Sequence, residues 1–177
     1  LFRSFAFMMI RVKRIQENVP TSKVAGTTFG LTELTGTLRA ATDLEPLTGP
    51  LTDNACVWYH YVVKEKRGSG KNTEWVTIED ETRRQPFYCE DDSGSMRIFP
   101  TRAEIITSHH ETERRGNRSY SEHRLSPEDQ LYILGGARPD RTRGDSLVIS
   151  HEKGMPYLIS NYSEETVMRS EEHTSEL

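Results

Sequence analysis

Apolar and polar residues alternate in short runs along this chain, and turn residues break the runs about every ten positions. "GLTELTGTLRA", residues 30–40, alternates around Leu34, Gly36 and Leu38 and predicts a strand. From Cys56 to Glu65 the run is rich in valine and aromatics. Alternation puts Cys56, Trp58, His60 and Val62 on one face and Val57, Tyr59, Tyr61 and Val63 on the other. A polar break at 66–72 precedes "TEWVTIEDE", which alternates again, so the pair predicts a long β-hairpin. "PFYCE" and "SMRIFP" flank the turn sequence Asp91-Asp92-Ser93-Gly94 and predict a second hairpin.

Further on, "AEIIT" is a brief strand, and another strand ends near Leu125. An apolar strand over 131–134 is closed by Gly135-Gly136, and "SLVISH" and "PYLISN" are the last two strands. Residues 108–119 are charged without a period and predict a mobile loop. So many short strands imply a mainly β domain, a compact antiparallel barrel or sandwich over residues 18–168.

The two ends predict helices. In residues 1–17, Phe2, Phe5, Phe7, Met8, Met9 and Ile10 are followed at once by Arg11, Lys13 and Arg14. The run falls short of the roughly 20 apolar residues that span a bilayer. It is expected to be the end of a truncated transmembrane or juxtamembrane helix, stopped before Pro20. Arg3 within the run leaves an amphipathic surface helix as the other possibility. Ser163, with Glu164 and Glu165 behind it, predicts the N-cap of a short C-terminal helix. Residues 169–177, "RSEEHTSEL", resemble the in-frame translation of a sequencing-library adapter and carry no functional argument.

Composition narrows the function. Net charge is -4, pI about 5.9, and mean hydropathy -0.70, with 34% hydrophobic and 28% charged residues. The core must be modest, and a basic surface can only be local, which argues against a general nucleic-acid binder. Two cysteines, Cys56 and Cys89, make neither a disulfide scaffold nor a pair of structural zinc sites. They are expected as reduced, buried thiols, bridged only if their strands neighbour each other.

The candidate chemistry is sparse. "GSGK" at 68–71 lacks the spacing of a phosphate loop and lies between strands. His109 and His110 are adjacent, so in a strand they point apart, and no ligand spacing surrounds them. Glu90-Asp91-Asp92 could hold a hard cation but serves better as a turn. No nucleophile elbow is present. No catalytic residue, metal or cofactor is therefore assigned. Trp58 and Trp75 are expected in the core. Tyr59, Tyr61, Lys64 and Arg67 form the candidate interaction surface, and they are also the residues a single-stranded nucleic acid would use.

The motif order "ENVPTSKVAG", "GLTELTGTL", "PLTGPLTDNACVWYHYVVKEK", "PFYCEDDSGSMRIFP", "EHRLSPEDQLYILGGAR" and "EKGMPYLISNYSEE" resembles the GIDE domain over about residues 10–168. That domain belongs to the mitochondrial and chloroplast-envelope RING ubiquitin ligases of MULAN type and to prokaryotic homologues. The resemblance implies a β-rich domain beside a membrane, between two transmembrane helices, with a RING after the second. This chain carries no RING cysteines. The expected function is therefore a membrane-tethered, non-catalytic recognition domain with an unidentified protein partner. The alternative is the substrate-binding part of a RING-type E3 ubiquitin transferase, and a weaker one is a single-stranded nucleic-acid binder. Arg11, Lys13, Arg14 and Lys23 beside the apolar stub place the domain on the cytoplasmic side of the membrane.

Overall fold

The computed structural model describes residues 21–142 and 146–162. Its strands in chain order are β1 (Thr21–Ser22), β2 (Gly30–Ala40), β3 (Leu47–Thr48), β4 (Ala55–Cys56), β5 (Trp58–Arg67), β6 (Glu74–Arg84) and β7 (Phe87–Asp91). There follow β8 (Gly94–Ile98), β9 (Glu104–Ile106), β10 (His109–Arg115), β11 (Arg118–Leu125), β12 (Gln130–Pro139), β13 (Leu147–Ser150) and β14 (Leu158–Ser160). Strands β2, β7, β8, β13 and β12 pair in that order, and β12 pairs back onto β2, which closes a barrel. β1 adds beside β2, while β14 and then β9 extend from β12. A separate four-stranded sheet, β10-β11-β5-β6, stands on this barrel, and the small β3–β4 pair lies beside it.

The mainly β architecture is present, but two parts of the expected fold are corrected. The pairs β1–β2, β8–β13 and β9–β14 are parallel, so the barrel is mixed. Parallel neighbours need a long crossover. For β8–β13 and β9–β14 the excursion through β10 and β11 supplies it. The helices are the second correction: among the described residues there is no α-helix, only a single 3-10 turn at Val24–Gly26. The helices predicted over residues 1–17 and from Ser163 lie outside the described residues. Among those described, no helix is long and apolar enough to cross a membrane.

Two cores result. Leu34, Leu38, Phe87, Ile98, Ile133, Ile149 and Ile159 are fully buried in the barrel. Cys56, Tyr59, Tyr61 and Val63 form a second cluster under the four-stranded sheet, packed against Leu47, Leu51 and Tyr120. β12 is buried on both faces, which explains its continuous apolar run. Gly135-Gly136 do not end it. A Cβ on Gly135 would stand 2.8 Å from both Ile149 Cγ2 and Tyr157 Cδ2. The glycines let the strand run on beneath its neighbours to Pro139.

The charged stretch 108–119 is also corrected, from loop to the hairpin β10–β11. It turns at Gly116, whose φ of 60° suits a residue without a side chain. Periodicity missed it because neither face of β10 packs on a large apolar core.

Both thiols are free and buried, on strands that do not pair with each other. Burial, with Glu122 nearby, pushes Cys56 up to about 11, and burial pushes Cys89 up to about 12. Neither carries appreciable thiolate at neutral pH. Alkylation of the folded protein at pH 8 is accordingly expected to leave both unmodified, with complete labelling once denaturant is added. Mass spectrometry reads the difference, and labelling of either thiol in the native state would contradict this packing.

Candidate functional site

Alternation along the four-stranded sheet separates two chemically different faces. Cross-strand register puts Tyr59, Tyr61 and Val63 on the face that carries Tyr120, Glu122 and Arg124 of β11. The β3–β4 pair and the loop between them cover this inner face. Glu122, fully buried, accepts hydrogen bonds from Leu51 N at 2.7 Å, Thr52 Oγ1 at 2.6 Å and Thr52 N at 3.3 Å. Gly49 lies so close that a Cβ there would meet Glu122 Oε1 at 2.5 Å. Arg124 stands behind, with Nη1 3.7 Å from Glu122 and 3.8 Å from Glu111.

The other inner-face cations are paired as well. Arg67 and Arg118 both reach Glu65, at 2.9 and 3.2 Å, while Arg83 bonds Glu81 and Arg115 bonds Glu113, each at 2.7 Å. Two arginines sharing one carboxylate hold Glu65 below the usual carboxylate range. Tyr59 donates to Glu81 at 3.0 Å, and burial, with that carboxylate, raises its phenol.

The outer face differs. His110, His123 and His60 stand opposite one another on β10, β11 and β5. The His110 and His123 rings stack at 4.0 Å, and His60 lies 6.4 Å from His123. His60 Nε2 meets Asp80 of β6 at 2.9 Å. Lys64 follows on the same face, opposite Ser119 of β11 and Thr77 of β6. The pairing of β5 with β6 shifts between Val63 and Lys64, where Val63 faces Glu79 but Lys64 faces Thr77. Ile78 is the extra residue, a β-bulge. Beyond the bulge Trp75 shares the outer face, 41% exposed, with the Arg114 guanidinium 5.5 Å from its ring centre.

The proposed interaction surface is therefore split. Tyr59 and Tyr61 are 6% and 9% exposed and turn inward, so they offer no platform to a partner. Arg67 is exposed but bonded to Glu65 on the inner face. Lys64 remains exposed on the outer face. The expectation that both tryptophans are core is corrected too. Trp58 is partly buried against the barrel core, whereas Trp75 lies at the far end of the hairpin, beyond the barrel.

The remaining candidates fall into place as structure. "GSGK" is the β5–β6 connection, and His109 pairs with Asp129 at 2.7 Å. Asp91 forms the β7–β8 turn, accepting from Ser93 N, Ser93 Oγ and Gly94 N, and also from Val24 N. Among the described residues no group of three or more His, Cys, Asp or Glu could hold a metal ion. What sequence reasoning missed is the outer-face set of Arg114, Trp75 and the histidine row. Its signal was the shared parity of His60 and Lys64. Recognising it also required the hairpin at 109–125 and the bulge.

The histidine row makes a pH prediction. Burial, with His110 and His60 beside it, lowers the His123 pKa, so the fold prefers its neutral imidazole. That stabilisation is complete above the unfolded value of about 6.5 and is lost as pH falls through the lower folded value. Asp80 on β6 and Lys64 and Arg114 on the same face are the charges around it. Between pH 7.5 and 5.5 the parent's Tm should drop more than that of His123→Gln; parallel Tm curves would remove His123 as the cause.

Comparison with known proteins agrees with the motif order. No curated protein and no solved structure matches the chain. A family model for GIDE, described as E3 ubiquitin ligase, matches residues 59–177, well over half of the 177. The barrel, the four-stranded sheet and its two faces are thus the structure of a chain that belongs to the GIDE family of E3 ubiquitin ligases.

Proposed function

We propose that this chain is the recognition part of a GIDE-type ligase, a non-catalytic interaction domain beside a membrane on its cytoplasmic side. The observation that carries this is the charge separation across the four-stranded sheet. Inner-face cations are matched by carboxylates. Among the described residues Lys64, Lys66 and Arg84, on the outer face by strand alternation, have no carboxylate partner. Side chains held on rigid strands with their charges unmatched suit recognition.

Thiol chemistry supports the non-catalytic part. Thioester transfer needs an accessible thiolate. Cys56 and Cys89 are both buried with raised pKa values. Two cysteines also fall short of the zinc ligands a RING requires. The membrane placement follows from residues 1–17 and their basic flank. Recovery of the intact gene product wholly in the soluble fraction would remove it.

A discharge assay tests the role. The chain, added to a ubiquitin-charged conjugating enzyme, is expected to leave the rate of ubiquitin discharge unchanged. Acceleration in proportion to the chain's concentration would make it catalytic and favour the transferase alternative.

A further inference from the structure

We propose that the outer face of the four-stranded sheet binds an acidic polypeptide segment in extended conformation, added alongside β6. This rests on the recognition role proposed above and names the partner's chemistry. Register and alternation collect Lys64, Lys66, Arg84 and Arg114 on this face, against one carboxylate, Asp80. The whole chain carries -4, so a cationic face is a local departure from the overall charge. Lys64 and Lys66 are successive same-face positions, about 6.6 Å apart along the strand. Every second side chain of an extended peptide has that same spacing.

β6 is an edge of its sheet. Its outward backbone N–H and C=O groups can pair with an added strand. Such a strand would lay alternate side chains beside Arg84, Thr82, Thr77 and Trp75 of β6, from which a long acidic side chain reaches toward Lys64 and Lys66 one strand farther in, and the others beside Glu79 and Glu81. The fitting sequence is therefore acidic at every second position and uncharged between.

Single-stranded nucleic acid fits less well. Binding of that kind uses successive rings as stacking platforms. Tyr59 and Tyr61 are inside, Trp58 packs on the barrel core, and Trp75 already has Arg114 against its ring.

The test uses the full chain and a fluorescent peptide of alternating Glu and Ser at low salt, with alternating Lys-Ser and an oligothymidylate as comparisons. The Glu-Ser peptide is expected to bind and to weaken as salt rises. Lys64→Glu, Lys66→Glu and Arg84→Glu together should weaken it by about tenfold or more. Lys153→Glu, on the barrel, should leave it unchanged. Amide shifts in the unmodified protein provide a check independent of the variants and should concentrate in β5 and β6. No binding at low salt, equal binding by the triple variant, or shifts centred on the barrel would overturn the proposal. Tighter binding of the oligothymidylate through the same residues would replace it with a nucleic-acid site. Ubiquitin discharge is scored separately, so a failed peptide site removes only the partner, whereas accelerated discharge removes the recognition role itself.

Discussion

Glu122→Ala is expected to cost about 3–5 kcal/mol, the penalty for removing one member of a buried charged pair. The carboxylate is fully buried and is the acceptor for two backbone amides and one hydroxyl of the loop over the sheet. Its loss strands those donors. It also leaves Arg124, 8% exposed, with Glu111 as its nearest carboxylate at 3.8 Å. Arg124 Nε and Nη1 already lack hydrogen-bond partners, so little remains to compensate them. Leu51 would lose its tether, and the cluster of Cys56, Tyr59 and Tyr61 would lose part of its cover. Glu122→Gln keeps an acceptor for the loop and should cost less, about 1–3 kcal/mol. Denaturant unfolding with the slope held in common reads both. A loss under about 1 kcal/mol for the alanine variant would mean that the loop is not held by this carboxylate.

Phe87→Ala should be as severe, at about 3–5 kcal/mol, since it empties a large volume from the barrel. Phe87 is fully buried, opposite Ile98 on β8 and Ala40 on β2. Trp75→Ala provides the contrast. It removes a ring that is 41% exposed and meets Arg114 at the sheet surface. An exposed contact of that kind is worth about 0.5–1 kcal/mol. Against a total stability of about 5–15 kcal/mol, the first change threatens folding and the second does not. Comparable midpoints for the two variants would contradict this division between core and surface.

Those two aromatics show how far the chain could be read unaided. Phe87, Ile98, Leu34 and Leu38 lie in clean alternating runs that the barrel buries on one side, so their strands were legible. Trp75 lies in an equally clean run, yet alternation states only which residues share a face. It does not state which face meets a core. For β5 the covered face was the one bearing Tyr59 and Tyr61, because the β3–β4 loop folds over it. The cover depends on Glu122, far along the chain, and no local pattern announces that contact. The hairpin at 109–125 was illegible for a related reason. Its inner-face partners are ion pairs, so the stretch has no hydrophobic period. The site inherited both errors: Lys64 lies on the outer face, while Tyr59, Tyr61 and Arg67 belong to the other side.

The bulge at Ile78 has a consequence for how this hairpin tolerates changes in length. A strand has only two parities, and the one extra residue in β6 reverses the parity of everything on its N-terminal side. Deleting Ile78 would leave the composition of the hairpin nearly unchanged and its backbone pairing more regular. It would remove the bulge and leave Trp75 on the side of Lys64, because Thr77 would then follow Glu79 in strict alternation. Removing a second residue from the now regular stretch would carry Trp75 to the side of Glu79 and Glu81. Among relatives, then, a hairpin one residue shorter between Trp75 and Asp80 and without the bulge is compatible with the same outer surface, and one two residues shorter without it implies a different one.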